Sequence, residues 1–430
     1  MEAFLNTVVS LVRTPPMFIA IIAFLGLILQ KKKFSDIVKG SLKAFIGMVV
    51  LTQGVNIIIG SIAPLSNGFT SLFAIENAPQ IGDFGAFLGE YGSQVGMIML
   101  LGFVINIIIA RFTKFKTIFL TANLLYWYPM LFIALGIENN LSTMATYILS
   151  IILFSFVIII MPHVMRKHVK ELTGQDTFTI GHTTSIFCIL GVWIGKLFGK
   201  NEENAKQSME EIKVPKSLEF CKDTTLVSGL VIAIVYIIVG LALDAETKAM
   251  VFAGQPILTI AITNGMTFSA GMLILLQGVR MMLAEIVPAF NGIAMKLVPG
   301  SVPALDIPLI FPYGQNSLLI GFIIAAAVNI IAIFALGSMG WLNVAVIPLM
   351  IACYFDVAPA CIFANKYGGR KAVISTAVVG GLILTVLVAV SIPMVASTVG
   401  SFLQTYGGNE YSVWVIIGNF IAKAMAAAGL

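Results

Sequence analysis

The sequence predicts an all-α integral membrane protein of about 11 transmembrane helices, built as two inverted five-helix repeats with re-entrant hairpins. Three observations carry that expectation: the composition, the spacing of apolar runs and an internal repeat. Of 430 residues, 59% are hydrophobic and 10% charged, where soluble domains carry roughly 25% charged residues. The mean hydropathy is +1.00, so water is not the main solvent of this chain.

A span needs about 20 mostly apolar residues. Such runs fall near 14–30, 42–60, 95–110, 118–136, 144–162, 225–243, 262–286, 317–336, 342–358, 372–396 and 411–428. The first run lacks a preceding basic region and ends on Lys31, Lys32 and Lys33, which argues against a cleaved signal peptide. Cys188, Cys221, Cys353 and Cys361 show no metal or redox spacing. The net charge of +5 does not indicate nucleic acid, because the basic residues sit in short loops beside spans.

Those loops set an orientation. Lys31–Lys33 with Lys39 and Lys43, then Arg111, Lys114 and Lys116, then Arg166, Lys167 and Lys170, then Lys366, Arg370 and Lys371 fall at alternate span ends. The positive-inside rule makes those ends cytoplasmic, with the N-terminus outside and the C-terminus inside. The hydrophilic stretch 200–222 is then a cytoplasmic linker, either plainly solvated or a docking surface.

Gln53-Gly54-Val55, followed by Pro64 and Asn67-Gly68, returns as Gln277-Gly278-Val279, Pro288 and Asn291-Gly292 at one offset. Asn106-Ile107-Ile108 likewise parallels Asn329-Ile330-Ile331. Residues 1–224 form the first unit, 225–396 the second, and 397–430 an additional C-terminal span. Five spans per unit force opposite orientations, the construction of many carriers whose site lies at the midplane.

The segments after the two Gln-Gly-Val spans are rich in Gly and Pro and carry Glu76 and Asp306; they read as re-entrant hairpins. A carboxylate at membrane depth needs a partner or a task. His182 stands among hydroxyls in Thr177-Phe-Thr179-Ile180-Gly181-His182-Thr183-Thr184-Ser185, a donor and acceptor set suited to a polyhydroxy ligand. Asn123 lies beside Tyr126, Trp127 and Tyr128, rings that either stack on a sugar or form an interfacial belt. Arg280 and Glu285 read as a structural ion pair. No phosphate loop, metal-ligand cluster or G-x-S-x-G elbow occurs, and no cofactor is expected.

Ile180-Gly181-His182, Gln277-Gly-Val-Arg-Met-Met-Leu-Ala-Glu285, Ala289-Phe290-Asn291-Gly292-Ile293, Leu297-Val-Pro-Gly300 and Ala304-Leu305-Asp306 resemble the membrane IIC subunit of the ascorbate-type sugar phosphotransferase system. The resemblance implies a homodimeric permease of the bacterial inner membrane, an elevator-like shift of a core domain, and phosphorylation of the arriving solute by a cytoplasmic IIB partner fed by IIA. The permease itself is then no enzyme. By position it implies a substrate site of Glu76, Asn77, Asn123, Trp127, His182, Thr183 and Asp306. The ascorbate pattern carries Asp-Thr in place of Glu76-Asn77, histidine in place of Asn123, and glutamine in place of Trp127 and of Thr183. His182 and Asp306 agree with it, and a galactitol-type polyol is the alternative solute. An ion-coupled carrier and a membrane enzyme using His182 as a base are the rival functions.

Overall fold

A computed structural model describes residues 14–213 and 223–430; Cys221 and the linker portion 214–222 lie outside the described residues. The helices in chain order begin with α1 (Pro15–Leu29), α2 (Phe34–Leu72), α3 (Phe84–Phe112), α4 (Ala122–Glu138), α5 (Thr143–Thr173), α6 (Ser185–Phe198) and α7 (Glu202–Lys206). They continue with α8 (Thr224–Ala242), α9 (Ala245–Val251), α10 (Ile257–Leu297), α11 (Gln315–Ser338), α12 (Ala358–Ser391), α13 (Ala396–Tyr406) and α14 (Glu410–Ala427). Seven helices among the described residues are long and apolar enough to cross a membrane.

The repeated Gln-Gly-Val segments lie on α2 and α10, which cross in direct backbone contact. A Cβ on Gly54 would strike the Leu275 amide, and one on Gly278 would strike the Leu51 amide. The outer pair repeats this: a Cβ on Gly47 would meet Met282 N at 2.7 Å, and one on Gly271 would meet Ile58 N at 3.0 Å. Each contact thus has its mirror in the other helix. Without a hydrophobic drive between helices in lipid, small residues that let backbones approach are what holds such a pair. Glu285, at the end of this pair, bonds Lys43 at 3.1 Å rather than the expected Arg280, which is exposed.

Two apolar runs expected as continuous spans are broken. Residues 118–136 divide into strand β1 (Thr117–Phe119) and helix α4, and 342–358 divide into an extended approach and the helical turns Met350–Ala352 and Cys353–Val357 that lead into α12. A hydropathy window cannot see this, since both halves are apolar. Buried asparagines at corresponding repeat positions pin the extended parts. Asn106 donates to Thr117 O at 3.0 Å and accepts from Phe119 N at 2.9 Å, while Asn329 accepts from Leu349 N at 2.9 Å.

Three such extended pieces meet in one small sheet of order β1-β3-β2, where β2 is Thr179–Ile180 and β3 is Val302–Leu305. Both pairings are parallel, with Phe119 opposite Ala304 and Ile180 opposite Leu305. The C-terminal ends of all three strands therefore point the same way, and each releases its chain into the candidate site. The chain is broken at the Asp306 segment, where β3 and a 3₁₀ turn replace the helix, but the proline-containing stretches ahead of Glu76 and Asp306 stay helical. α2 runs through Pro64 to Leu72, and α10 runs through Pro288 to Leu297.

The C-terminal segment also departs from expectation. α14 starts beside Thr183, whose carbonyl accepts from Glu410 N at 3.3 Å, and runs alongside α4 until Asn419 meets Asn139 at 3.1 Å. Lys423 then shares a surface pocket with Glu138 and Trp341. α13 and α14 thus form a hairpin that enters and leaves on the face of the 138–143 connection, where a further spanning helix would end on the opposite face. Buried Asn409 and Gly408, at φ +84°, make its tip.

On the other face, residues 202–213 are no loose linker. The Glu210 carboxylate accepts from Asn316 N, Ser317 N and Ser317 Oγ at 2.9, 2.9 and 2.6 Å, capping the amide end of α11. Met209 is buried, and Arg370 donates to Ser208 O at 3.0 Å. Gly369, at φ +63°, kinks α12 where the carbonyls of Asn204 and Gln207 press against it.

Gly54→Leu is expected to drive α2 and α10 apart and lower thermal stability in detergent by about 1–3 kcal/mol or more. Gly60→Leu, on the same helix with open space around its α-carbon, is the matched control and is expected to leave the melting temperature unchanged.

Candidate functional site

The strand ends and hairpin tips converge on a cavity of about 100 Å³, lined among others by Asn123, Trp127, His182, Thr183, Asp306, Asp356, Tyr406 and Asn409, with Leu51, Leu275 and Val279 of the crossed helices as its apolar wall. This is below the ~300–1,000 Å³ of common ligand pockets. The cavity must therefore widen to admit a solute.

His182 follows β2 after Gly181, and Asp306 follows β3 directly. The imidazole Nε2 faces Asp306 Oδ1 at 3.6 Å. Its Nδ1 accepts the Thr184 amide at 3.3 Å, which assigns the proton to Nε2, toward Asp306. Asp306 caps its own 3₁₀ turn by accepting from Ile307 N at 2.8 Å, leaving its other oxygen free of that bond. The His182 side chain is 10% exposed and that of Asp306 30%, so both present polar edges to the cavity.

Asp356 ties the site together from the other half of the chain. Its carboxylate accepts from Thr183 Oγ1 at 2.5 Å and from Asn409 Nδ2 at 2.8 Å, and its carbonyl accepts from Thr184 Oγ1 at 2.6 Å. It sits in the π turn Cys353–Val357, a distortion frequent at functional positions. Thr183 belongs to the tip entered from one face and Asn409 to the hairpin entered from the other. One carboxylate thus joins three interrupted segments. Behind it, Glu410 accepts from Tyr128 at 2.9 Å.

Five of the seven expected residues, Asn123, Trp127, His182, Thr183 and Asp306, line this cavity. Glu76 and Asn77 do not. Both are exposed on the connection between α2 and α3, where Asn77 takes a left-handed φ of 57°. Tyr126, Trp127 and Tyr128 are buried rather than interfacial. Asn123 Oδ1 and Tyr406 OH are buried without a protein partner, which marks them as free to bond a guest. Asp356, Asn409 and Glu410 were missed by sequence reasoning, although a carboxylate inside the apolar run 342–358 is a signal of the kind that singled out Asp306. Among the described residues no group of His, Cys, Asp and Glu is placed to hold a metal ion.

A polytopic α-helical protein with a hydrogen-bonding cavity between broken segments has the build of a solute permease. The family described as PTS system sugar-specific permease component matches residues 10–410, and the chain belongs to that family. It is also similar to the ascorbate-specific PTS system EIIC component of Mycoplasma pneumoniae, with 21% identity covering 95% of this chain and 70% of that protein. The ascorbate-type resemblance of the sequence is thereby supported at the level of the family.

Asp356→Ala is expected to leave Thr183 and Asn409 without their shared acceptor, costing about 1–3 kcal/mol of stability for the buried groups left unsatisfied. Thermal unfolding checks the first effect. A loss of solute binding larger than that of Tyr128→Phe, measured by calorimetry, checks that the tie orders the cavity.

Proposed function

We propose that this permease translocates a small polyhydroxy solute of the ascorbate type, bound by His182, Asp306, Asn123, Thr183 and Trp127, and delivers it to a cytoplasmic IIB subunit for phosphorylation. The observation that carries this reading is the convergence of His182 and Asp306, from separate strands, on one cavity with unpaired Asn123 and Tyr406 atoms. Glu76 and Asn77 are left out of the proposed site because they stand away from it. The phosphoryl chemistry belongs to IIB and IIA; the permease supplies recognition and passage.

The reciprocal glycine contacts and the paired Asn106 and Asn329 support an inverted-repeat architecture, and with it a homodimeric carrier that moves by a shift of its site-bearing part. The Lys/Arg-rich face, which carries the 202–213 strap, is assigned to the cytoplasm of a bacterial inner membrane, and that strap is the proposed neighbour of IIB. On this reading the hairpin course of α14 supports a C-terminus on the outer face, in place of the inner one. Asn123, Trp127 and Thr183 differ from the ascorbate pattern, so a galactitol-type polyol is the competing solute.

In membrane vesicles, His182→Ala and Asp306→Ala are expected to insert at wild-type levels and to lose at least 90% of coupled uptake. Wild-type uptake from either variant would refute the site. Binding of labelled ascorbate, challenged with galactitol and pentitols, decides the solute: displacement by polyols without ascorbate binding moves the assignment to a polyol.

A further inference from the structure

A second polar cavity lies along α2, toward the face of the 72–84 connection. Its volume is about 490 Å³, and its walls include Asn56, Ser66, Asn67, Asp83, Ser401 and Gln404. Asn56, Gly60, Ala63 and Asn67 follow one another at helical spacing and are exposed on one stripe of α2. A Cβ added to Gly60 meets nothing within 4 Å. Leu51, little more than a turn before this stripe, belongs to the wall of the first cavity. The two cavities therefore share α2 as a common floor.

What separates them is a set of stacked rings. Phe84, the first residue of α3, lines the groove and stacks on Phe402 with ring centres 5.7 Å apart and planes at 14°. Phe402 lies 5.1 Å from the Trp127 ring and 5.0 Å from that of Tyr406, both of which line the first cavity. Phe84 also lies 6.2 Å from Trp127. Ser401 and Gln404 face the groove from the same helix that sends Phe402 and Tyr406 to the site. The Ser401 hydroxyl, 6% exposed, has no protein partner.

We propose that the groove is an outer loading station for the polyhydroxy solute and that the Phe84–Phe402–Trp127 stack is the barrier between it and the His182 site. The inference rests on the permease reading for its solute, but the barrier itself is defined by geometry alone. The groove supplies what a polyol needs on entry: amide and hydroxyl donors and acceptors, no Lys or Arg among the residues named above, and an open apolar floor. Crossing the barrier itself then requires that Phe84 or Phe402 turn aside, a rotamer change rather than the displacement of a packed helix. A single bulky ring at the head of α3, next to the connection 73–83, is well placed for that motion.

The barrier is tested by thiol accessibility, which needs no solute and so succeeds or fails independently of the permease reading; the loading station is tested by uptake as well. In a Cys221→Ser background, where Cys188, Cys353 and Cys361 are buried, an impermeant maleimide applied from the groove side should label Asn56→Cys rapidly and Asn123→Cys slowly. Adding Phe84→Ala should speed Asn123→Cys labelling at least tenfold and leave Asn56→Cys unchanged, which also reports that the variant is folded. Gly60→Phe, which fills the groove without a backbone clash, should slow Asn123→Cys labelling in the Phe84→Ala background and, alone, raise the KM for uptake several-fold without changing equilibrium solute binding. Unchanged Asn123→Cys labelling in folded Phe84→Ala protein would overturn the barrier. Indifference of both labelling and uptake to Gly60→Phe would overturn the loading station.

Discussion

Backbone that is not helical at membrane depth has to find all its hydrogen bonds inside the protein, because lipid offers none. The permease meets that demand with a three-stranded parallel sheet of very short strands, and the site depends on it. β1, β2 and β3 each end a chain segment that enters from the same face, and parallel pairing brings the three exits together. The amides of Leu120 and Gly181 complete the pattern by donating to Ala304 O and Leu305 O, each at 2.9 Å. His182 and Asp306 are neighbours because Ile180 and Leu305 are paired, so the chemistry of the site is a consequence of strand register.

A second constraint is charge. Asp306, Asp356 and Glu410 are brought close together in an interior that holds His182 as its nearest basic group. Isolated charges there are costly, and they persist only where hydrogen bonds or a partner offset the desolvation. Asp356 has two donors and a helical turn of its own; Glu410 has Tyr128. Asp306, with one backbone donor and a facing imidazole edge, is the one of the three whose side chain is partly exposed, at 30%, whereas Asp356 and Glu410 are buried. That imbalance makes it the natural acceptor for a solute hydroxyl, while Asp356 serves the architecture by tying hairpin tips that come from opposite faces.

Much of this was legible in the residues and some was not. The Gln-Gly-Val repeat announced its own packing, since glycines seven residues apart on both helices become reciprocal contacts once the helices cross. His182 and Asp306 stood out as polar groups in apolar surroundings. The broken segments were hidden for a physical reason: β1, α4 and the approach to Met350 are as apolar as any span, and hydropathy measures transfer to lipid without regard to backbone conformation. Glu76 stands apart from the cavity because sequence symmetry with Asp306 is not spatial symmetry. The exposed turn at Asn77 and the buried cap at Asp306 share composition and little else. The C-terminal hairpin was missed because α14 is long enough to span, and only the contacts of Glu410 and Asn419 with α5's neighbour α4 reveal where it begins and ends.

The position of the cavity follows from these constraints together. Its polar wall comes from strand ends and hairpin tips, whose shape is fixed by buried hydrogen bonds, and its apolar wall from α2 and α10, which offer only Leu51, Leu275, Leu276 and Val279. Hydrogen bonds that hold a solute are therefore concentrated on one body and absent from the other. A site so divided can slide along an apolar surface without breaking its own contacts to the guest, since dispersion contacts with leucine are nearly indifferent to register while hydrogen bonds are not. The glycines that bring α2 and α10 into direct backbone contact make that apolar surface a single packed unit, distinct from the hydrogen-bonded segments opposite.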